Sequence, residues 1–453
     1  MIYYVHKNDL KSGKACIFMK IKTISKTYKE AMAIESPKHF KPMKTNLFWQ
    51  TLTKVISQPA LINSHFTGKK TGMEKLGKDE PALILMNHSG FTDFEIAYSM
   101  LYPRKFNTVA SIETFMGLDW VMKPIGIFPT RKYIADLQLI RDIKHCLTKN
   151  NSSVLMFPEA VYTLDGTSVT LPETLAKFVK MLGVPLCTLI THGVYLHVPA
   201  YGYVQNRDVP IEAELKYLLS PEQIKKMSLE EIKEVIDKEF SFDDFRWQQE
   251  NNIVIDEDFR ADGLHKILYK CPHCKKEGKM NSKGIHIFCE ECGKKWELTD
   301  RGFLKATEGE TEFDHVPDWY RWERECVRQE IIDGTYGFDV PCDIMVFMDW
   351  KALYKIGSGR LSHNPDEGFH LTGCDGELDY RQSSRSMYTC EAIPYWYQID
   401  DVIGLGNNKV LYYAFPTAQK EVVIKSKLAV EETFKLINEQ KRAKLAEKEE
   451  KAE

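Results

Sequence analysis

The sequence predicts an α/β domain with a mostly parallel sheet and helices on both faces. A small cysteine-rich ribbon follows, and then a C-terminal β-barrel-like or sandwich domain closed by a helix. Three observations predict this. Strand-like and helix-like segments alternate from residue 81 to 219, two CxxC pairs stand at residues 271–292, and short β-rich runs after residue 337 end in one long helix. Such alternation is the pattern of parallel strands joined by crossover helices. With 453 residues the chain is too long for one core. We divide it into a basic N-terminal segment (1–40), an α/β domain (41–262), the ribbon (263–305), a connecting helix (306–336), the β-rich domain with its terminal helix (337–440) and a charged tail (441–453).

Residues 1–75 hold 14 lysines, no arginine and four acids, a local charge of +10 within a chain of net charge −3. Basic leads of this kind either sit in solvent or bind nucleic acid or anionic membranes. Next, Thr45 or Asn46 caps a short helix over 45–58, ending before Pro59, with Leu47, Phe48, Trp49, Leu52, Val55 and Ile56 on one side. That face suits a membrane interface or the protein's own core, and we expect the core. No apolar run reaches the about 18 residues of a membrane-spanning helix. The lysine-studded start has no signal-peptide core, and seven of the 11 cysteines are scattered. Both features predict a cytoplasmic protein.

The elements of the α/β domain follow in order. Strands are expected at 81–86, 106–110, 125–128, 153–157, 185–191 and 211–219, and helices at 93–101, 135–149 and 175–182. Ser228 and Glu231 form a capping box that opens a helix through Phe240. Directly after the first strand comes Asn87-His88-Ser89-Gly90-Phe91-Thr92-Asp93. The carboxyl end of a strand is where open α/β sheets place ligands. A neutral imidazole can take a proton from a hydroxyl near pH 7 while a carboxylate fixes its tautomer, so His88 and Asp93 are the candidate catalytic pair.

Cys271-Pro272-His273-Cys274 and Cys289-Glu290-Glu291-Cys292 flank 14 residues with a Lys283-Gly284 turn. This spacing delivers four thiolates to one tetrahedral ion, best read as structural Zn²⁺, since four sulfurs leave no open position for catalysis. The zinc ribbon has no arginine–aromatic cluster, so no nucleic-acid partner is expected. Trp319, Tyr320 and Trp322, on a helix opened by Pro317-Asp318 and running to Ile332, are read as an interdomain packing face. Strands are then expected at 343–350, 352–356, 368–372, 396–399, 410–415 and 421–425, with a terminal helix over 428–444.

Four ordered blocks within residues 87–186 carry a family resemblance: the NHSGFTD block, Gly126-Ile127-Phe128-Pro129-Thr130-Arg131, Val154-Leu155-Met156-Phe157-Pro158-Glu159 and Val184-Pro185-Leu186. In these the sequence resembles the lysophospholipid and glycerol-phosphate acyltransferases, including the 1-acylglycerol-phosphate enzymes with their NHxxxxD block. The resemblance covers less than half of the chain. It implies an O-acyltransferase that moves a fatty acyl group from acyl-CoA or acyl-carrier protein to the hydroxyl of a lysophospholipid. No catalytic cofactor beyond the acyl donor is implied. His88 would be the general base and Asp93 its orienting acid. Asn87 and Gly90 would support the site, with nearby N–H groups as oxyanion donors. Arg131, assisted by Lys132, would hold the acceptor's phosphate, and Glu159 would line the acceptor site or pair with Arg131.

The chain departs from the family pattern after Glu159. Where the family has Gly, Thr or Ser, then Arg, this sequence has Ala160, Val161 and Tyr162. Tyr162 therefore faces the acceptor in place of a cation, and the expected acceptor has a bulkier or less charged head group. The same departure motivates an alternative, a catalytically weakened lipid-binding scaffold. In either case the basic lead and apolar helix place the protein on the anionic inner face of a membrane.

Overall fold

The structure, a computed structural model, describes residues 21–131, 137–203 and 205–450. Seven strands form the first sheet: β1 (Thr67–Thr71), β2 (Leu83–Met86), β3 (Phe106–Ser111), β4 (Ile127–Thr130), β5 (Ser153–Met156), β6 (Leu186–His192) and β7 (Glu212–Leu219). Their order is β1-β7-β6-β2-β5-β3-β4. The five strands from β6 to β4 are parallel. β7 runs antiparallel to β6 and pairs with β1 in parallel, so the sheet is mixed. β1, with the sequence TGKKT, is a polar edge strand that apolar periodicity does not reveal.

Helices cover both faces. Along β2, Ile84 and Met86 pack with Leu61 of α1 (Leu47–Asn63) and with Ile96 and Ala97 of α2 (Asp93–Leu101). Leu83 and Leu85 point the other way, toward Ala176 and Val179 of α4 (Leu175–Leu182) and Ile232 and Ile236 of α5 (Leu229–Glu239). The α3 helix (Leu137–Thr148) packs Ile143 and Cys146 against β5's Val154. All four β2 side chains are buried, as expected of a strand covered on both faces.

α1 corrects two expectations. It runs through Pro59 to Asn63, because a proline removes only one intrahelical hydrogen bond and the flanking turns persist. Its buried residues are Gln50, Ser57 and Leu61, while Leu47, Phe48, Leu52, Val55, Ile56 and Ile62 are exposed, Phe48 by 67% and Ile62 by 70%. Gln50 donates to Thr45 Oγ1 at 3.3 Å and to the Arg104 carbonyl at 3.1 Å. The helix thus docks by polar anchors and leaves its apolar side outward.

The ribbon is a four-stranded antiparallel sheet over Met280–Lys283, His286–Cys289, Lys295–Leu298 and Leu304–Ala306. It shares a core with the α/β domain. Ile287 and Trp296 join Tyr195 and Tyr201, together with Trp319 of α6 (Val316–Ile332) and Ile424 and Leu428 of α7 (Val422–Glu450). Trp319 sits edge-on to Trp296 at 5.0 Å and donates its indole N–H to the Lys270 carbonyl. The expected aromatic packing face of α6 is therefore present for Trp319 and Tyr320, both buried.

In the C-terminal region seven strands form an antiparallel sheet: β8 (Phe338–Phe347), β9 (Leu353–Asn364), β10 (Gly368–Gly373), β11 (Leu378–Gln382), β12 (Glu391–Trp396), β13 (Asp400–Gly406) and β14 (Leu411–Pro416). Their order is β11-β10-β9-β8-β14-β13-β12. The sheet curls around α7, whose Val422, Val423 and Val430 join Leu371, Leu378, Ala392 and Ile403 in one core. The other face packs Phe347, Trp396 and Tyr413 on Ile112 and Met116 of the α/β domain. Thr23–Ser25 pairs in parallel with Leu353–Lys355, so the basic lead from residue 21 onward is built into this sheet. Two expectations fail here. Residues 421–425 do not form a strand, since α7 begins at Val422, and residues 397–399 form the turn after β12, with Tyr397 and Gln398 at positive φ. No helix is long and apolar enough to cross a membrane among the described residues.

Candidate active site and metal centre

β2 delivers His88 to the carboxyl edge of the sheet, and α2 begins at Asp93. His88 Nδ1 lies 3.0 Å from Asp93 Oδ2. The same oxygen accepts the backbone N–H groups of Ser89 at 2.9 Å and Gly90 at 3.0 Å. Asp93 is buried at the first turn of a helix, where the peptide dipoles favour negative charge. With its proton on Nδ1, the imidazole presents Nε2 as the base. The His88 side chain is 20% exposed, enough for solvent contact.

The segment after β5 builds the rest of the site. Phe157 stacks on the imidazole with ring centres 4.1 Å apart, and Tyr162 lies over it at 4.2 Å. Glu159 is buried. It accepts the His88 N–H at 2.7 Å through Oε2 and the Val169 N–H at 2.9 Å through Oε1. Burial pushes its carboxyl up to about 8 against the pull of those two donors. The Thr163 N–H donates to the His88 carbonyl at 2.9 Å, so both backbone groups of His88 are clamped. Two residues beyond Asp93, burial raises Glu95 to about 7, and its Oε2 is buried without a hydrogen-bond partner. The sequence alone does not mark Phe157, Thr163 or Glu95 as site residues. Phe157 lies inside a quoted block, but stacking on the imidazole has no sequence signal.

Several expected roles change. Asn87 is fully buried and its amide bonds Thr191, accepting its N–H at 2.9 Å and donating to its carbonyl at 3.0 Å, so it ties β2 to β6. The N–H groups of Ser89 and Gly90 are bonded to Asp93 Oδ2. A Cβ on Gly90 would meet Val194 Cγ1 at 3.0 Å, so the glycine serves close packing. Glu159 does not pair with Arg131, since backbone N–H groups occupy both its oxygens. Arg131 follows the edge strand β4, three strands from β2, which at the usual strand spacing is about 14 Å. Its guanidinium reaches the Asn407 carbonyl at 3.5 Å. Lys132 lies outside the described residues. Tyr162 sits at the imidazole, with burial raising its phenol. Among other polar residues, His192 stacks on Trp247 and contacts Asp244.

The four cysteines converge. Cys271 and Cys292 Sγ are 3.8 Å apart, Cys274 and Cys289 Sγ 3.7 Å, and all four lie within 4.8 Å of one another. Four sulfurs at 2.3 Å from a central ion in a tetrahedron are about 3.8 Å apart, so the group has the size to hold a metal ion. The two knuckles share one backbone pattern: Lys275 N–H donates to Cys271 O as Gly293 N–H does to Cys289 O, with positive φ at both donors.

At the carboxyl edge of the parallel strands, a buried carboxylate aligns a histidine, an arrangement suited to acid–base chemistry. Residues 68–191 match the family model described as Acyltransferase. No curated protein matches the chain. Among solved structures, the 1-acyl-sn-glycerophosphate (LPA) acyltransferase PlsC from Thermotoga maritima is similar over 42% of this chain and 78% of its own, at 16% identity and a TM-score of 0.35.

Proposed function

We propose that the protein is an O-acyltransferase that transfers a fatty acyl group from acyl-CoA or acyl-carrier protein to the hydroxyl of a lysophospholipid or acylglycerol phosphate. The observation that carries this reading is the His88–Asp93 pair, solvent-accessible and clamped by the segment after β5. His88 Nε2 removes the acceptor's hydroxyl proton as the oxygen attacks the thioester carbonyl. Asp93 stabilises the imidazolium, and the C–S bond breaks as the thiolate leaves and takes that proton back. Arg131 and Lys132 are the candidates for the acceptor's phosphate. Tyr162, over the imidazole where the family places an arginine, favours an acceptor with a bulkier or less charged head group than glycerol phosphate.

The exposed apolar side of α1, with Lys44 and Lys54 beside it, suits a helix lying in the interface of an anionic membrane. This supports a peripheral position on the cytoplasmic face. The four-cysteine group is proposed to hold Zn²⁺ in a structural role, since a closed thiolate set offers no reaction position.

The deciding experiment uses purified protein with labelled acyl-CoA and a panel of lysophospholipids. His88→Ala should lower turnover about 10²- to 10⁴-fold while lipid binding persists. Equal turnover in wild type and variant, or no acyl transfer to any lysophospholipid, would overturn the reading. Acylation of glycerol phosphate as fast as of its lysolipids would overturn the head-group assignment alone.

A further inference from the structure

A cavity of about 310 Å³ opens where the segment after Glu159 meets α6 and α7. Four cations line it: Arg321 and Arg324 from α6, Lys427 and Lys435 from α7. The lining acids are two, Asp165 and Glu431. Ser168 and Thr170 add hydroxyls from the facing segment. The cations form two tiers. Side chains of Lys427 and Arg324 are 4% and 22% exposed, those of Lys435 and Arg321 36% and 61%.

The inner pair keeps donors in reserve. Arg324 commits Nη1 alone to carboxylates, Glu431 at 2.7 Å and Glu432 at 3.2 Å, out of five guanidinium donors. Lys427 gives two bonds, to Thr389 Oγ1 at 2.9 Å and Glu431 at 2.6 Å, of the three an ammonium offers. An ion network that served packing alone would close over such pairs. Here it surrounds a space within the range of small-ligand pockets, roughly 300–1,000 Å³.

We propose that this cavity binds a phosphate-bearing small molecule, with Arg324 and Lys427 at its base and Arg321 and Lys435 at its mouth. Guanidinium forks, ammonium groups and hydroxyls together match a multiply charged oxyanion. The cavity is one side chain from the catalytic pair: Val169 lines it, and its N–H holds the Glu159 carboxylate that also holds His88. The phosphate can come from the acyl donor, from the acceptor or from a free phosphate. The site stands whether or not the chain transfers acyl groups.

Calorimetric titration of the full chain at low salt, with inorganic phosphate, CoA and glycerol 3-phosphate as probes, tests this. At least one probe should bind, and Arg324→Gln should weaken binding roughly tenfold, as loss of a charge-assisted contact does. Arg324 also faces buried acids, so the double variant Arg321→Gln/Lys435→Gln, at exposed positions, is the second measurement and should weaken binding several-fold with an unchanged melting curve. Tightest binding of CoA assigns the donor's phosphates, tightest binding of glycerol 3-phosphate the acceptor's, and equal binding a free phosphate. Binding is read without turnover, so a failure of acyl transfer leaves this result standing. No heat from any probe at millimolar concentration, or undiminished binding by the folded double variant, would overturn the proposal.

Discussion

The Glu159 carboxylate holds the backbone N–H of His88 at 2.7 Å and, through its other oxygen, that of Val169. The histidine is therefore fixed from below by its main chain and from the side by Asp93, and this double hold yields the first prediction. An unfolded glutamate loses its proton near 4.5, whereas buried Glu159 keeps it up to about 8. Between those values the native state holds the extra proton, so this group's contribution is full below the unfolded value and is lost as pH rises through the folded one. Glu95, raised to about 7, acts in the same direction. Glu159→Gln should flatten the decline of the melting temperature between pH 5 and 8. Parallel wild-type and variant curves over that range would count against the buried, proton-holding glutamate.

Asp93 gathers three donors on one oxygen, so Asp93→Asn keeps the volume but loses the charge that stabilises an imidazolium. The expected outcome is a fall in kcat of about 10²- to 10³-fold with KM little changed. A change confined to KM would place Asp93 in substrate binding instead.

Ala160 stands where the resembling family has glycine, and its φ is +60°. A Cβ in the left-handed region is disfavoured, so Ala160→Gly should stabilise the chain by about 0.5–1 kcal/mol after glycine's own entropic cost. The shift is readable as a higher denaturant midpoint at constant slope. Destabilisation would mean that the methyl group's packing outweighs the backbone strain.

Much of this site is legible in the sequence because the signals there are local. The apolar run before Asn87, the acid five residues after His88 and the paired cysteines each fix their own geometry. Helices 93–101 and 175–182 begin and end where their patterns do. What escapes is decided at long range. Val422, Val423 and Ile424 look like a strand, yet they start a helix because the first two fill the C-terminal sheet's core and the third the ribbon's core. That Gln50 faces inward on α1 depends on the carbonyl of Arg104, 54 residues away. The destination of Arg131, beside Asn407, depends on a domain 276 residues away.

The ribbon's Ile287 and Trp296 share a core with Tyr195 and Tyr201 of the α/β domain, so loss of the metal should not stay local. Metal binding to such a site is folding free energy. Cys289→Ser, or prolonged chelation, is expected to lower the melting temperature and acyl transfer together, and metal analysis of the purified chain should give one equivalent. A chelated protein with an unchanged melting curve would leave the four thiols without a structural ion.

The outward apolar side of α1 predicts lipid binding that fails in a specific way. Phe48 and Val55 are exposed on this helix, so Phe48→Asp/Val55→Asp should leave the fold intact. Burying one such side chain in a membrane interface is worth about 1.5–3 kcal/mol, so the double variant should bind vesicles at least about tenfold more weakly. The electrostatic share comes from the lysines and is screened within about 10 Å at 0.1 M salt. Binding of the wild type should therefore weaken with salt but persist, and be strongest on vesicles containing anionic lipid. Sedimentation with such vesicles measures both effects. If the variant co-sediments as well as wild type, the helix faces something other than lipid, and the membrane position must rest on the residues before 21.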